Sequence, residues 1–575
     1  MIWWIAQPSR GRSEGFAIDA LQEQHEWLRN VEWTFGKGGS LSANFEIERL
    51  GRLIPLTISY PRFFPDMPPQ VFPRDEIRLS SHQWGAGGEL CLEYRPDNWD
   101  PAFTGAMMIE SAYRLLQGEE PAQGVAARVE SAHATTVGQD IRGYRMRFLL
   151  TEDFAGAMSS LEICRPMELE LSEETNASHW VAVPRRLGPE DAALWSAGAD
   201  VAMFRRRKGF AVRMGAGVKA TIRTEYDLVK VIADTIGHEG LLEVVRGSEE
   251  DAVVLVECEG DFHLMWLPSG RGPRDMIGYT TVKAPSSANR LPGGYDRLAS
   301  APVGIVGCGS VGSKIAASLA RAGLGRFVLV DGDVLFPGNL VRNDLDGRSV
   351  GLNKPDAVAK RIRDIRPSAH VTVRRLALGG QESSSSTDSA LVEVGGCDLI
   401  IDATADPQIF NLCASVARSE KKTLVWGEVF AGGIGGFVVR LRPDIEPVPH
   451  AARRQLLRWC DDRGRPMPLG EEVQYGLALD ESPPLIADDA DVSVIAAHMT
   501  RMALDALTRQ DTAFPHPAYA VGLKAEWIFE APFDTWPISL VPEGEWGPQK
   551  DENAEAELAA LAKQLFPDAG KGDTE

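Results

Sequence analysis

Much is missing from this chain, and each absence narrows what it can be. No run approaches the roughly 20 apolar residues of a membrane span. No Cys-x-x-Cys occurs, and the seven cysteines (91, 164, 258, 308, 397, 413 and 460) are odd in number and widely scattered. Neither a zinc site nor a disulfide framework is indicated, and a reducing cytoplasm is expected. Positive charge is in deficit: 60 basic residues against 81 acidic ones give −21. Broad nucleic-acid binding depends on phosphate neutralisation, so it is not expected. The start, Met1-Ile-Trp-Trp-Ile-Ala6, is apolar but short and has no basic residues before it, which does not read as a signal peptide. No internal repeats are visible.

What remains is a soluble, globular composition: 575 residues, 44% hydrophobic and 25% charged. That length suggests about three or four domains. Residues 1–145 read as one block. Ile18, Leu21 and Leu28 recur at helical spacing, strand-like alternation runs from Phe45 to Tyr60, and prolines 61, 65, 68, 69 and 73 forbid helix. Residues 146–295 mix short β-like runs (Trp180–Val183, Ala252–Cys258) with one helix, Tyr226–Ile236, and carry no catalytic motif. The run Arg205-Arg-Arg-Lys208 reads as a solvated face. From 296 to 545 the pattern is βαβ: strands at Val303–Val306, Phe327–Val330, Leu399–Ile401 and Leu424–Trp426, helices at Ser313–Ala322 and Ser493–Leu507. Residues 379–388 read as a flexible loop, and 546–575 as an acidic tail with at most a short helix.

Gly307-Cys-Gly309-Ser-Val-Gly312 follows a strand and opens a helix. Its glycines let backbone N–H groups approach a phosphate. Alone it fits NAD, FAD or ATP. Asp331 closes the second strand, where a carboxylate can hold ribose hydroxyls. The next segment separates the readings. Asp331-Gly-Asp333 leads to Asn339-Leu-Val-Arg342 and then Lys354. A dinucleotide has no need of that series, whereas a triphosphate under attack does: Arg342 and Lys354 can spread charge on the α-phosphate and departing pyrophosphate. Asp402 ends a strand and is placed to hold Mg²⁺.

The set Gly-x-Gly-x-x-Gly, Asp-x-Asp, Asn-Leu-x-Arg, Lys resembles the adenylating domain of the ThiF/MoeB and ubiquitin-activating family. It does so firmly over about 300–430 and less firmly to 540. The resemblance implies ATP and Mg²⁺ as cofactors and a homodimer, with the question open of whether a second protomer completes the site. Where the family has Asp-x-Thr-Asp-Asn, this chain has Asp402-Ala-Thr-Ala-Asp406, so the metal ligand is Asp402 or a shifted Asp406.

Two thiols complete the reading. Members of that family pass the activated acyl group to a cysteine beyond the central strands. Cys460, among Arg453, Arg454, Arg458, Arg463 and Arg465, is the candidate, with Cys413 as a core-bound alternative. Cys91 lies downstream of Tyr60-Pro-Arg-Phe-Phe-Pro-Asp-Met-Pro-Pro69 and upstream of Trp99-Asp-Pro101 and a helix-like run, Met107–Leu116. This order resembles a ubiquitin-conjugating domain. The His-Pro-Asn tripeptide of that family is here His82-Gln-Trp84, so its asparagine is absent. Asn98 is a candidate substitute, and Asp97 or Asp100 a candidate for deprotonating an amine. Trp84 and Trp99 are expected to wall the thiol.

The expected fold is multidomain α+β and α/β: a ubiquitin-conjugating-like domain, a mixed linker domain, and a Rossmann-like ThiF adenylation domain with a thiol loop. The resemblance extends to fusions in CBASS anti-phage operons, which attach the C-terminus of a cyclic-oligonucleotide synthase to other proteins. It implies an ATP-dependent relay from acyl-adenylate to Cys460, to Cys91, and to an amine of a target protein. The donor is a cyclic-oligonucleotide synthase or a ubiquitin-like protein with a free C-terminus. An NAD(P)-linked oxidoreductase and a non-catalytic interaction protein are the readings from other classes.

Overall fold

The computed structural model describes all residues except 1, 37, 76–78, 81, 85–86, 120–140, 142, 176–178, 198–204, 216–221, 223, 247–249, 270–275, 284–290, 466–486, 549–552 and 567–575. The chain divides into two compact units, Met1–Tyr144 and Arg145–Glu575. Among the described residues, no helix is long and apolar enough to cross a membrane.

In the first unit a single turn, α1 (Trp3–Ala6), leads into α2 (Pro8–Gln24). Pro8 suits the first helical position, where no N–H is needed. Four antiparallel strands follow in sequential order: β1 (Leu28–Phe35), β2 (Leu41–Arg49), β3 (Arg52–Ser59) and β4 (Gln70–Pro73). On β2, Leu41, Ala43, Phe45 and Ile47 are all buried. This alternation pins the register, because a one-residue slip would turn all four to water. A two-stranded ribbon, β5 (Gln83–Trp84) and β6 (Glu89–Leu90), delivers Cys91, and α3 (Gly105–Glu119) closes the unit. The buried Glu14 ties these parts together. It accepts from Tyr60 Oη (2.9 Å) and the Gly105 amide (2.6 Å) and pairs with Arg10 (3.0 Å). Burial raises its pKa, and those three partners oppose the rise.

The second unit begins with a closed sheet. Its strands are β7 (Met146–Leu150), β8 (Met167–Thr175), β9 (Trp180–Leu187), β10 (Trp195–Ser196), β11 (Arg205–Arg213), β12 (Ala252–Cys258), β13 (Asp261–Leu267), β14 (Ile277–Gly278) and β15 (Thr280–Lys283). β14 pairs with β13 and β15 pairs with β7, so the consecutive residues 277–283 join the two ends of the sheet. Helix α4 (Glu152–Ser159) packs Phe154 and Met158 into the inner core with Phe148, Leu171 and Leu255. Helices α5 (Glu225–Val231) and α6 (Glu239–Arg246) cover part of the outer face. The arginine run is not wholly a solvated face. Arg207 is buried, bonded to Glu173 (2.6 Å) and Asp251 (2.8 Å), with its guanidinium 4.3 Å from the Trp266 ring centroid. Alternation on β11 sends it inward while Arg206 stays exposed.

The remaining sheet is doubly wound, in the order β18-β17-β16-β19-β20-β21-β22-β23. β16 (Pro302–Val306), β17 (Arg326–Val330), β18 (His370–Arg374), β19 (Leu399–Asp402) and β20 (Thr423–Val429) are parallel. β21 (Gly435–Leu441), β22 (Ala518–Gly522) and β23 (Thr535–Ile538) continue antiparallel. α7 (Ser310–Arg321) and α8 (Lys354–Ile365) lie on one face with the long helix Asp489–Thr508. α9 (Ser384–Gly395), α10 (Pro407–Ser419) and α11 (Pro449–Asp461) lie on the other. The long helix is α12, and α13 (Ala554–Leu565) ends the described chain. The segment expected as a flexible loop is half helical: Ser383 caps α9 by accepting from the Ser386 amide, so its serines start a helix.

Candidate functional site

A cavity of about 650 Å³ opens at the carboxyl ends of the parallel strands, where β16 has neighbours reached by connections in opposite directions. Its size suits a small-molecule ligand, and this crevice is where open α/β sheets bind one. Gly307 and Gly309 line it, and three different constraints act on the three glycines. Gly307 has φ +91°, and a Cβ there would sit 2.8 Å from Thr404 Cγ2. A Cβ on Gly312 would meet the Gly307 carbonyl at 1.9 Å, so that glycine permits the loop to lie on α7 without itself lining the cavity. Gly309 has open space, on the side from which a phosphate would approach the amides at the start of α7.

The charged residues expected from sequence gather here. Asp331, Asp333, Asn339, Arg342 and Lys354 all line the cavity. Asp331 Oδ2 accepts from the Cys308 amide (2.7 Å) and Oδ1 from the Asp333 amide (2.8 Å). Burial raises its pKa against those bonds. Lys354 Nζ bonds Asp333 Oδ2 at 2.7 Å, and the Lys354 amide donates to the Asp333 carbonyl at 2.8 Å. Asn339 Oδ1 accepts from the Phe336 amide (2.9 Å), which shapes the Pro337–Val341 turn that leads to Arg342. The opposite wall was not foreseen. Leu376, Ala377, Leu378, Gly379 and Gly380 line it together with Thr404 and Gln408, and a Cβ on Gly379 would lie 3.4 Å from Gln408 Oε1. The pair Gly379-Gly380 before α9 was the available signal.

The two metal candidates part company. Asp402 is 0% exposed and does not line the cavity; Asp406 does. On β19, Ile400 and Asp402 point toward α10 and α11, while Ile401 points toward α7 and α12. Asp402 Oδ1 accepts from Thr404 N (3.0 Å) and Oγ1 (2.6 Å), and burial pushes its pKa up to about 6. Its other oxygen is buried without a partner. Asp402 therefore does not fit a metal ligand at this cavity. Among the described residues, no group of three or more His, Cys, Asp or Glu is arranged to hold an ion unaided. A nucleotide does fit: a roomy cavity, a glycine loop with open space at Gly309, and two cations on the wall.

Residues 288–512 match the ThiF family model. This segment of the chain carries a ThiF-family, E1-like adenylating domain. Two proteins of Sinorhizobium fredii are similar to the chain. "Uncharacterized protein y4oA" is 34% identical over 157 residues, covering 25% of this chain and 26% of that protein. "Uncharacterized protein y4qC" is 25% identical over 431 residues, covering 68% and 71%. The "ATP-dependent ubiquitin transferase-like protein Cap2" of Pseudomonas aeruginosa is 31% identical over 136 residues, 23% of each chain. The chain thus spans about a quarter of the length of y4oA and of Cap2.

Within the ThiF-family domain, Cys460 is placed otherwise than the relay requires. It faces inward from α11, 0% exposed, among Ala451, Ala452 and Leu456. Burial pushes its thiol up to about 11, with Asp461 and Glu428 adding to the rise and Arg463 opposing it. An acyl-accepting thiol must be accessible and ionised, and in this conformation Cys460 is a packing residue. Arg463 lowers the thiol's pKa, but the neighbouring arginines make their contacts elsewhere. Arg454 and Arg458 pair with Glu543, and Arg463 stacks over Trp459. Cys413 is also 0% exposed, and burial raises its pKa.

In the first unit Cys91 is half-buried, and its amide donates to the His82 carbonyl (2.8 Å). Its thiol is raised by desolvation. Asn98 is committed to the backbone: Oδ1 accepts from Arg95 N (2.6 Å) and Nδ2 donates to the Glu93 carbonyl (2.8 Å). It shapes the loop after Cys91, so the substitute role would require it to leave both bonds. Asp97 pairs with Arg95 (3.3 Å), and Asp100 accepts from Ala102 N (2.8 Å). Trp99 donates to the Pro65 carbonyl (2.7 Å) and packs on Phe64 and Phe103. The side chain of Trp84 lies outside the described residues.

Proposed function

We propose that this chain is an ATP-dependent protein-conjugating enzyme. Its ThiF-family domain activates the C-terminal carboxylate of a protein, and Cys91 of the first unit carries the acyl group to an amine. The observation that supports this most is the meeting of Asp331, Asn339, Arg342 and Lys354 around one cavity at the glycine loop. A carboxylate oxygen of the donor attacks the α-phosphorus of ATP, and pyrophosphate leaves. Arg342 and Lys354 offset the charge developing on the phosphates. Lys354 exchanges Asp333 for phosphate as it does so. The Cys91 thiolate then attacks the acyl carbon and AMP leaves. Finally an amine attacks the thioester, forming an amide and returning the thiol.

The first unit supports the second half of this scheme by its order of elements: helix, four-stranded antiparallel meander, proline-rich turn, cysteine after a short ribbon, helix. The resemblance to fusions in anti-phage operons favours a cyclic-oligonucleotide synthase as the donor, with a bacterial ubiquitin-like protein as the alternative, and similarity to the ubiquitin transferase-like Cap2 accords with a conjugating enzyme. The burial of Cys460 favours direct delivery to Cys91 over a relay through two thiols.

The test is mass spectrometry of the Cys91 peptide after incubation with ATP and the candidate donor. A reducible adduct is expected in the wild type and in Cys460→Ser, and none in Cys91→Ala. Lys354→Ala should lose adduct and cost about 2–4 kcal/mol of transition-state stabilisation. Loss of the adduct in Cys460→Ser, with folding intact, would restore the two-thiol relay. Tight NADH binding without ATP binding would replace the whole scheme by the oxidoreductase reading.

A further inference from the structure

Cys91 is delivered by a ribbon too short to hold itself. β5 and β6 have two residues each, paired as Gln83 with Leu90 and Trp84 with Glu89. A two-stranded hairpin standing alone is marginal in water, so other bonds must fix the thiol. After Cys91 they are plain. Leu90 and Leu92 are buried on either side of it, and the Glu93 amide donates to Ser111 Oγ on α3 (2.9 Å). Before it, the Cys91 amide donates to the His82 carbonyl (2.8 Å), so the thiol is only as well placed as His82.

The next side chain braces that segment. Gln83 Oε1 accepts from the amides of Leu79 and Ser80 (3.0 Å for Ser80), and Gln83 Nε2 donates to the Gly88 carbonyl (2.9 Å). It ties the approach to β5 to the turn that enters β6. The chemistry selects the residue type. Two N–H groups on one side require an acceptor, a carbonyl on the other requires a donor, and an uncharged amide supplies both. A glutamate would set a carboxylate oxygen against the Gly88 carbonyl. Gly88 has φ +71°, and a Cβ there would lie 3.1 Å from Gln83 Nε2, so the turn leaves just the room the amide fills. Ser80 extends the brace: its Oγ accepts from the His82 amide (2.8 Å) and donates to Glu119, the last residue of α3.

We propose that Gln83 is a positioning residue for Cys91, its amide holding the ribbon so that the thiol meets the carbonyl carbon of the activated acyl group. This deepens the reading of Cys91 as acyl carrier and rests on it. In the step served, the Cys91 thiolate attacks the acyl carbon of the adenylate. A C–S bond forms, the C–O bond to phosphate breaks, and AMP leaves with the electron pair. Gln83 acts on this step through the His82 carbonyl. Acyl transfer is sensitive to such placement, since an error of about 1 Å can cost on the order of 100-fold in rate.

The experiment compares wild type, Gln83→Ala, Gln83→Glu and Cys91→Ala as full chains, with ATP and a cyclic-oligonucleotide synthase as donor. The readouts are pyrophosphate release, single-turnover adduct formation on the Cys91 peptide by mass spectrometry, and alkylation of Cys91 by iodoacetamide. Gln83→Ala should slow adduct formation on the order of 10- to 100-fold at unchanged first-turnover pyrophosphate release. Alkylation needs only an accessible thiolate, so it should slow by no more than about twofold. Gln83→Glu supplies a readout that general loosening would not move. Its carboxyl group, once protonated, regains a donor for Gly88. Its adduct rate relative to wild type should therefore rise as pH falls from about 8 to about 5. If Gln83→Ala melts early, this ratio decides alone. Wild-type adduct formation in Gln83→Ala, alkylation slowed by the same factor as adduct formation, or a pH-independent ratio for Gln83→Glu would each overturn the assignment. Pyrophosphate release by the wild type with no adduct on Cys91 would overturn the reading of Cys91 as the carrier, and the assignment with it.

Discussion

Two buried carboxyl groups of the ThiF-family domain lie well above the pKa of ordinary surface acids. Burial pushes Glu428 from 4.5 up to about 7 and Asp402 from 3.8 up to about 6; the Asp402 charge adds to the rise of Glu428, the Asp406 charge adds to that of Asp402, and Arg453 opposes both. For an acid with a raised pKa, the folded chain holds the proton more tightly than the unfolded chain. The stability so gained is full at acidic pH and lost as pH rises from 4.5 to about 7 for Glu428. Glu428→Gln removes this dependence. Its melting temperature should exceed that of the wild type at about pH 8, by on the order of 2 °C, and the difference should shrink toward pH 4.5. A constant difference across that range would mean that Glu428 does not titrate there. Asp402 was legible in sequence as a strand-terminal carboxylate but not as a buried one. The clue was its parity with Ile400: alternation on β19 sends both to one face. Reading direction required knowing which face carries α10 and α11, and that is nonlocal.

At the scale of elements, the glycine loop separates folding from binding. Gly312 lies 1.9 Å, in Cβ terms, from a backbone oxygen, which cannot step aside as a side chain could. Gly312→Ala should therefore destabilise the ThiF-family domain by about 1–3 kcal/mol through overpacking. Gly309 has open space and a negative φ of −76°, so Gly309→Ala should melt as the wild type does yet bind ATP more weakly. Thermal melts beside ATP titrations distinguish the two, and equal effects of both variants on melting would contradict this division. The strand–glycine–helix unit was readable because each part is local: a β-branched run, a Gly-x-Gly-x-x-Gly turn, an amphipathic helix. α11 was half-readable. Its basic residues suggested a reactive thiol, while Ala452, Leu456 and Cys460 at four-residue spacing already marked a buried stripe. Counting charge neighbours in sequence overrated the arginines, because their side chains leave on other faces of the helix.

The whole molecule consists of two compact units, each with its own apolar core. A fragment of residues 145–575 should accordingly bind ATP as the full chain does and form no acyl adduct. Calorimetry and adduct mass spectrometry on the fragment test both halves of that statement. The sequence by itself determined the local chemistry: the order of the nucleotide motif, the parallel strands behind it, the helix after Cys91, and the lack of a run long enough to span a membrane as a helix. These follow from residue type and short-range periodicity. The tertiary structure alone decided that residues 146–283 close their sheet on itself, that Arg207 enters it, that Cys460 is packed away, and that Asp406 rather than Asp402 meets the cavity. Each of these depends on which faces meet across hundreds of residues. Hydrogen-bond registry and side-chain burial set that, and no window of sequence contains both partners.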